Sequence, residues 1–186
     1  RHPQAFASSP VVFIQDPEDV TVTQELLINQ DAPRHTQLRK LVNRGFTPRQ
    51  IAALEPHVRA IVVDIVERAA GRGTFDLVTD VAVELPLQVI AELVGVPQED
   101  RHRVFAWTER MMSNDDDDQA AVQADAQVAV AEMFAYADGL VASRVDGAGD
   151  DLLSVLLRAD VDGAALTPFE VDVFFMLLMN AGSETT

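Results

Sequence analysis

Apolar residues recur along most of this chain at spacings of three and four, the interval at which an α-helix returns to the same face. The pattern is absent at the start. Residues 1–29 are rich in Pro, Ser and Asp, carry one short apolar run at 11–14, and read as loop with one short helix or strand. From Asp31 onward the pattern is helical. Asp31 is expected to cap a helix that tolerates Pro33 in its first turn and runs to about Gly45, with Leu38, Leu41 and Val42 apolar. Thr47 and Pro48 restart the chain as cap and first helical residue. Pro56, which has no amide proton, is expected to interrupt; beyond it Val58, Ile61, Val62, Ile65, Val66 and Ala69 keep helical spacing until Gly71 and Gly73.

Further helices are predicted at 76–94, bent near Pro86 and closed by "GVP" at 95–97, then at 98–112 and at 119–145. "NDDDD" at 114–118 reads as a solvated loop, because four adjacent carboxylates repel one another. Asp150 and Asp151 cap a short helix through Arg158. "TPFE" at 167–170 has the form of a capping box with Pro at the first helical position. Everything from there to residue 186 reads as one helix, apolar on nearly all sides through Met179, and such a helix belongs at the centre of a larger protein. The expected class is mainly α, in a single domain.

Composition narrows the functions. With 186 residues, 48% of them hydrophobic, the chain can bury a core. Fourteen Lys and Arg against 30 Asp and Glu give a net charge of -16, which argues against general affinity for nucleic acid or anionic membranes. The absence of Cys excludes disulfides, zinc-thiolate sites and cysteine nucleophiles within these residues. No apolar stretch approaches the roughly 20 residues that cross a bilayer. The sequence begins at Arg1 without an initiator Met and stops inside a strong helix pattern, so a piece of a longer polypeptide is expected.

Two segments carry candidate chemistry. At the C-terminus, Phe174, Phe175, Leu178, Ala181, Gly182 and Thr185 share one helical stripe that narrows from aromatic rings to almost no side chain, so a flat ligand could approach the backbone at Ala181 and Gly182. Gly182 weakens the helix interior, Thr185 can bond back to the Ala181 carbonyl, and Glu184 flanks the stripe about 100 degrees round. A carboxylate beside a hydroxyl can deliver protons. Alternatively, Gly182 ends the helix and Ser183 caps another. In the second segment, five of the 14 basic residues fall within 34–49, a positive patch in an acidic chain. His35 and Arg39, four apart, are adjacent on one helix face and able to hold two carboxylates, unless local acids simply balance them. The remaining histidines show no metal-site spacing.

These residues resemble the cytochrome P450 family, of the soluble bacterial type. "DAPRHTQLRKLVNRGFTP" at 31–48 is similar to the family's C-helix segment with its His-x-x-x-Arg pair, and "AGSETT" at 181–186 to its I-helix motif. "ELVGVPQED" at 92–100 and "DDLLSVLL" at 150–157 sit where the family has similar phrases. The resemblance implies a partial P450 domain over residues 1–186, from about the B–C loop at 10–29, through F and G helices near 98–135, into the I helix. It implies haem b, its axial Cys outside this chain, with His35 and Arg39 on the propionates and Leu27 and Ile28 at the porphyrin edge. Ala181 and Gly182 would let the I helix cross the distal face. Glu184 and Thr185 would form the acid-alcohol proton relay, and Phe175, Leu178 and Met179 would line the substrate pocket. The implied activity is that of a cytoplasmic haem-thiolate monooxygenase inserting one atom of O2 into an apolar small molecule, with a ferredoxin-type partner docking near Lys40 and Arg44. A non-enzymatic helical ligand-binding or regulatory domain, its Phe and Leu stripe being only core, is the other reading.

Overall fold

A computed structural model describes residues 7–9, 21–113, 119–144, 149–161 and 163–184. After α1 (Thr21–Glu25) and a 3-10 turn (Leu27–Asn29) come α2 (Arg34–Gly45), α3 (Pro48–Gly71), a π-helical turn (Val78–Ala82), α4 (Glu84–Val94) and a 3-10 turn (Gln98–Asp100). They are followed by α5 (Arg101–Met112), α6 (Gln119–Ala142), α7 (Leu152–Leu157), the strands β1 (Asp160–Val161) and β2 (Ala164–Ala165), and α8 (Pro168–Glu184). The mainly helical class holds. The predicted loop at 114–118 lies outside the described residues, as do 10–20 of the expected B–C loop.

Several local expectations needed correction. Asp31 does not cap α2: Pro33 occupies the cap position, and the Asp31 carboxylate instead accepts the backbone N–H groups of Ser8 at 3.0 Å and Ser9 at 3.1 Å. Those donors, with a smaller contribution from His35, hold its carboxyl below the usual carboxylate range. Pro56 does not interrupt α3, which runs continuously over 24 residues. A proline removes one hydrogen bond, and the burial of Ile61, Ile65 and Ala69 farther along holds the helix in place. The irregularity expected at Pro86 falls earlier, in the π-helical turn. Pro86 itself sits in the first turn of α4, where its missing N–H has no intrahelical partner to lose. The β1–β2 hairpin, paired antiparallel with Asp160 opposite Ala165, escaped the helical pattern because two-residue strands leave no period to read.

The other stops and starts behave as their chemistry dictates. Gly95 closes α4 in the left-handed region with φ +94, donating its N–H to the Ala91 carbonyl at 2.9 Å. Asp151 caps α7 by accepting the Ser154 N–H at 2.9 Å. The capping box of α8 is complete: Thr167 N–H donates to Glu170 at 2.7 Å, and Glu170 N–H donates to the Thr167 hydroxyl at 3.2 Å.

α8 is the axis of the fold, touching α1, α4, α5, α6 and α7. Ile90, Ala91 and Val94 of α4, Trp107 of α5, Met133 and Ala137 of α6, and Phe175, Met176 and Met179 of α8 form the main core. A second cluster joins Leu27, Leu38 of α2, Leu156 of α7 and Phe174 of α8. No described helix is long and apolar enough to cross a membrane.

Candidate functional site

Since α8 is apolar almost all round, each of its faces is defined by what packs there. Phe174, Leu177 and Leu178 meet the cluster of Leu27 and Leu38, so this face points toward α2 and the turn before it. Phe175 and Met179 are fully buried in the main core, with the Phe175 ring 6.2 Å from that of Tyr136 on α6. Met176 and Asn180 form a third face, turned toward α1, α5 and α6. The single stripe read from the sequence is therefore divided among neighbours.

Gly182 belongs to the face against α4. A Cβ added there would lie 2.4 Å from Ile90 Cγ1 and 2.8 Å from Ile90 Cβ, so the glycine lets two helices touch. Close packing on α4 is therefore one use of this glycine. Gly182 does not end the helix: α8 continues to Glu184, and the Ser183 hydroxyl donates back to the Met179 carbonyl at 2.7 Å. Ala181 is exposed on the surface of α8. Glu184 is the last residue of the helix, and Thr185 lies outside the described residues.

On α2, His35 is half-buried and Arg39 exposed. The chain pairs most of its arginines with acids: Arg34 with Glu170, Arg59 with Glu55, Arg101 with Glu84, Arg110 with Asp125 and Glu132, Arg144 with Asp151. Among the described residues neither Arg39 nor Lys40 has such a partner. With His35 four residues before it on α2, Arg39 is a donor available for an external carboxylate. Leu27 is buried against Leu38, and Ile28 is half-exposed next to it. The Arg34–Glu170 contact fixes the start of α2 to the start of α8, bringing the two motif-bearing helices together.

Beside the third face of α8 lies an apolar groove of about 530 Å³, walled by Val22 of α1, Met111 of α5, Val130 and Phe134 of α6, and Met176 and Asn180 of α8. It opens one residue before Ala181. Phe175, Leu178 and Met179 do not line it; periodicity marks the apolar faces of α8 without saying which faces a neighbouring helix covers. A larger groove between α3 and α4 involves no residue of α8. No cluster of three metal-ligating side chains occurs among the described residues.

The chain is 47% identical over 169 residues to a steroid C26-monooxygenase of Rhodococcus jostii, a match that covers 91% of this chain and 35% of that protein. It is 38% identical to a methyl-branched lipid omega-hydroxylase of Mycobacterium tuberculosis, over all of this chain and 44% of that one. A solved cytochrome P450 of Mycobacterium marinum, in complex with pseudoionone, superposes on the entire chain with a TM-score of 0.88 at 33% identity, across 46% of its own length. The chain belongs to the cytochrome P450 family. It spans less than half the length of these P450 relatives. No family model matches it.

Proposed function

We propose that the polypeptide containing these residues is a haem-thiolate monooxygenase inserting one atom of O2 into an apolar small molecule. The observation that carries this reading is the apolar groove opening on α8 immediately before the Ala181-Gly182-Ser183-Glu184 turn. The relatives' names, for oxygenation of a steroid and a methyl-branched lipid, support both the chemistry and the substrate class. They favour it over a non-catalytic helical domain.

The residues present suit a haem. His35 and Arg39 are the donor pair for its two propionates, with Arg39 unmatched by any acid among the described residues. Ile28 and Leu27 offer an apolar edge, and Ala181 presents only a methyl group to the ring. Haem b, held by a Cys of the remaining polypeptide, would supply O2 binding and the oxidising power. Glu184 and Thr185 would hold and pass the proton that oxygen cleavage consumes. Met176, Val130 and Phe134 would form the apolar substrate wall, while Phe175 and Met179 support it from within the core. Electrons would arrive from NAD(P)H through a ferredoxin-type carrier docked near Lys40 and Arg44, in the cytoplasm.

The deciding experiment is the spectrum of the full-length protein, reduced under carbon monoxide. The red-shifted Soret band of thiolate ligation is expected, and its absence overturns the reading. In the same protein Thr185→Ala should retain substrate binding while diverting reducing equivalents to hydrogen peroxide. Unchanged product per NAD(P)H would remove Thr185 from the relay.

A further inference from the structure

The groove beside α8 is apolar except for three amides, and one of them stands out. Gln123 and Gln127 enter from exposed positions on α6, where solvent satisfies them. Asn180 is placed deeper, and its Oδ1 is buried with no hydrogen-bond partner. Buried amide oxygens are almost always satisfied, and one that is not calls for a ligand or a water. Leu at this position would leave no polar atom unmet.

The geometry points to Asn180 as the polar anchor of the substrate site, accepting a hydrogen bond from a neutral hydroxyl on an otherwise apolar molecule. The inference rests on the groove being the substrate site proposed above. Three observations select the ligand class. The unmet atom is an acceptor, and a hydroxyl is the simplest donor a lipid carries. No ionisable side chain among the described residues lines the groove, so a carboxylate would be buried without a countercharge. The volume of about 530 Å³ suits a ligand of lipid-fragment or drug size. The side-chain amide turns about its last bond in a broad well, so Oδ1 can swing to face an occupant. Asn180 directly precedes Ala181, so an anchored hydroxyl also sets which end of the molecule lies beside the motif.

Calorimetric titration of the full-length protein with dodecanol, dodecane and dodecanoic acid tests this at neutral pH. The wild-type protein should bind dodecanol about tenfold more tightly than dodecane, the worth of one buried hydrogen bond. Asn180→Leu should bring the two affinities together without weakening dodecane. Equal binding of alcohol and alkane by the wild-type protein overturns the inference before any variant is made. So does a preference that survives Asn180→Leu, or an acid bound more tightly than the alcohol. If none of the three binds although the carbon monoxide spectrum is that of a thiolate-ligated haem, the groove assignment falls and the monooxygenase reading stands.

Discussion

Asp172 lies on α8 with its side chain buried and one carboxylate oxygen lacking a hydrogen-bond partner. Burial, with Asp138 of α6 nearby, pushes its pKa up to about 6 from 3.8. The folded state therefore holds this proton more tightly than the unfolded state. Its contribution is most favourable below pH 3.8 and is lost as pH rises through about 6. Asp172→Asn should raise stability at pH 7 by ~1–3 kcal/mol and flatten this site's pH dependence across that window, as urea denaturation of the full-length protein would show. At this scale the sequence was informative where chemistry is local. The capping box at Thr167 and Glu170 and the cap at Asp151 act through neighbours three residues away. Asp31 departed from expectation because Ser8 and Ser9, distant in sequence, offered its carboxylate better donors than its own helix did. Asn180 was overlooked since an isolated amide in an apolar run has no signature until its surroundings are known.

The contact between α4 and α8 turns on Gly182 and Ile90. Alanine at 182 would add roughly 1 kcal/mol of helix propensity, yet its methyl would collide with the body of Ile90 and not merely its tip. The collision outweighs the gain. Gly182→Ala should destabilise the full-length protein by about 1–3 kcal/mol, and Ile90→Ala should cost about 2–5 kcal/mol through the cavity it leaves. The double variant should be more stable than the sum of the two predicts, by at least ~1 kcal/mol. Strict additivity in thermal or urea unfolding would show that the two residues do not meet. Period revealed α2, and period with capping revealed α8, because both are regular. They did not reveal the π-helical turn, which lies between α3 and α4, or the faces of α8. A helix apolar on nearly every side has no polar stripe to show which neighbour each face meets.

Charge is a property of the whole molecule. Against a net charge of -16, the exposed Lys40 on α2, which has no acidic partner among the described residues, is a local cationic point. If an acidic ferredoxin-type carrier docks there, its rate of reducing the full-length protein should fall as ionic strength rises. Lys40→Glu should slow association by about tenfold at low salt and much less at high salt. Stopped-flow reduction as a function of salt checks both, and a flat profile would move the docking face elsewhere. The global chain path was the least legible part of the sequence. Nothing in residues 31–48 alone says that they will lie against residues 167–178.

That pairing fixes an order of events during synthesis. Arg34 and Glu170 are separated by 136 positions, and Leu38 waits equally long for Phe174. At about 5–20 residues per second, a ribosome needs roughly 7–27 s to make the intervening chain. Through that interval the apolar side of α2 lacks the cover that Phe174 of α8 provides. The proposed propionate clamp is thus translated early and assembled late.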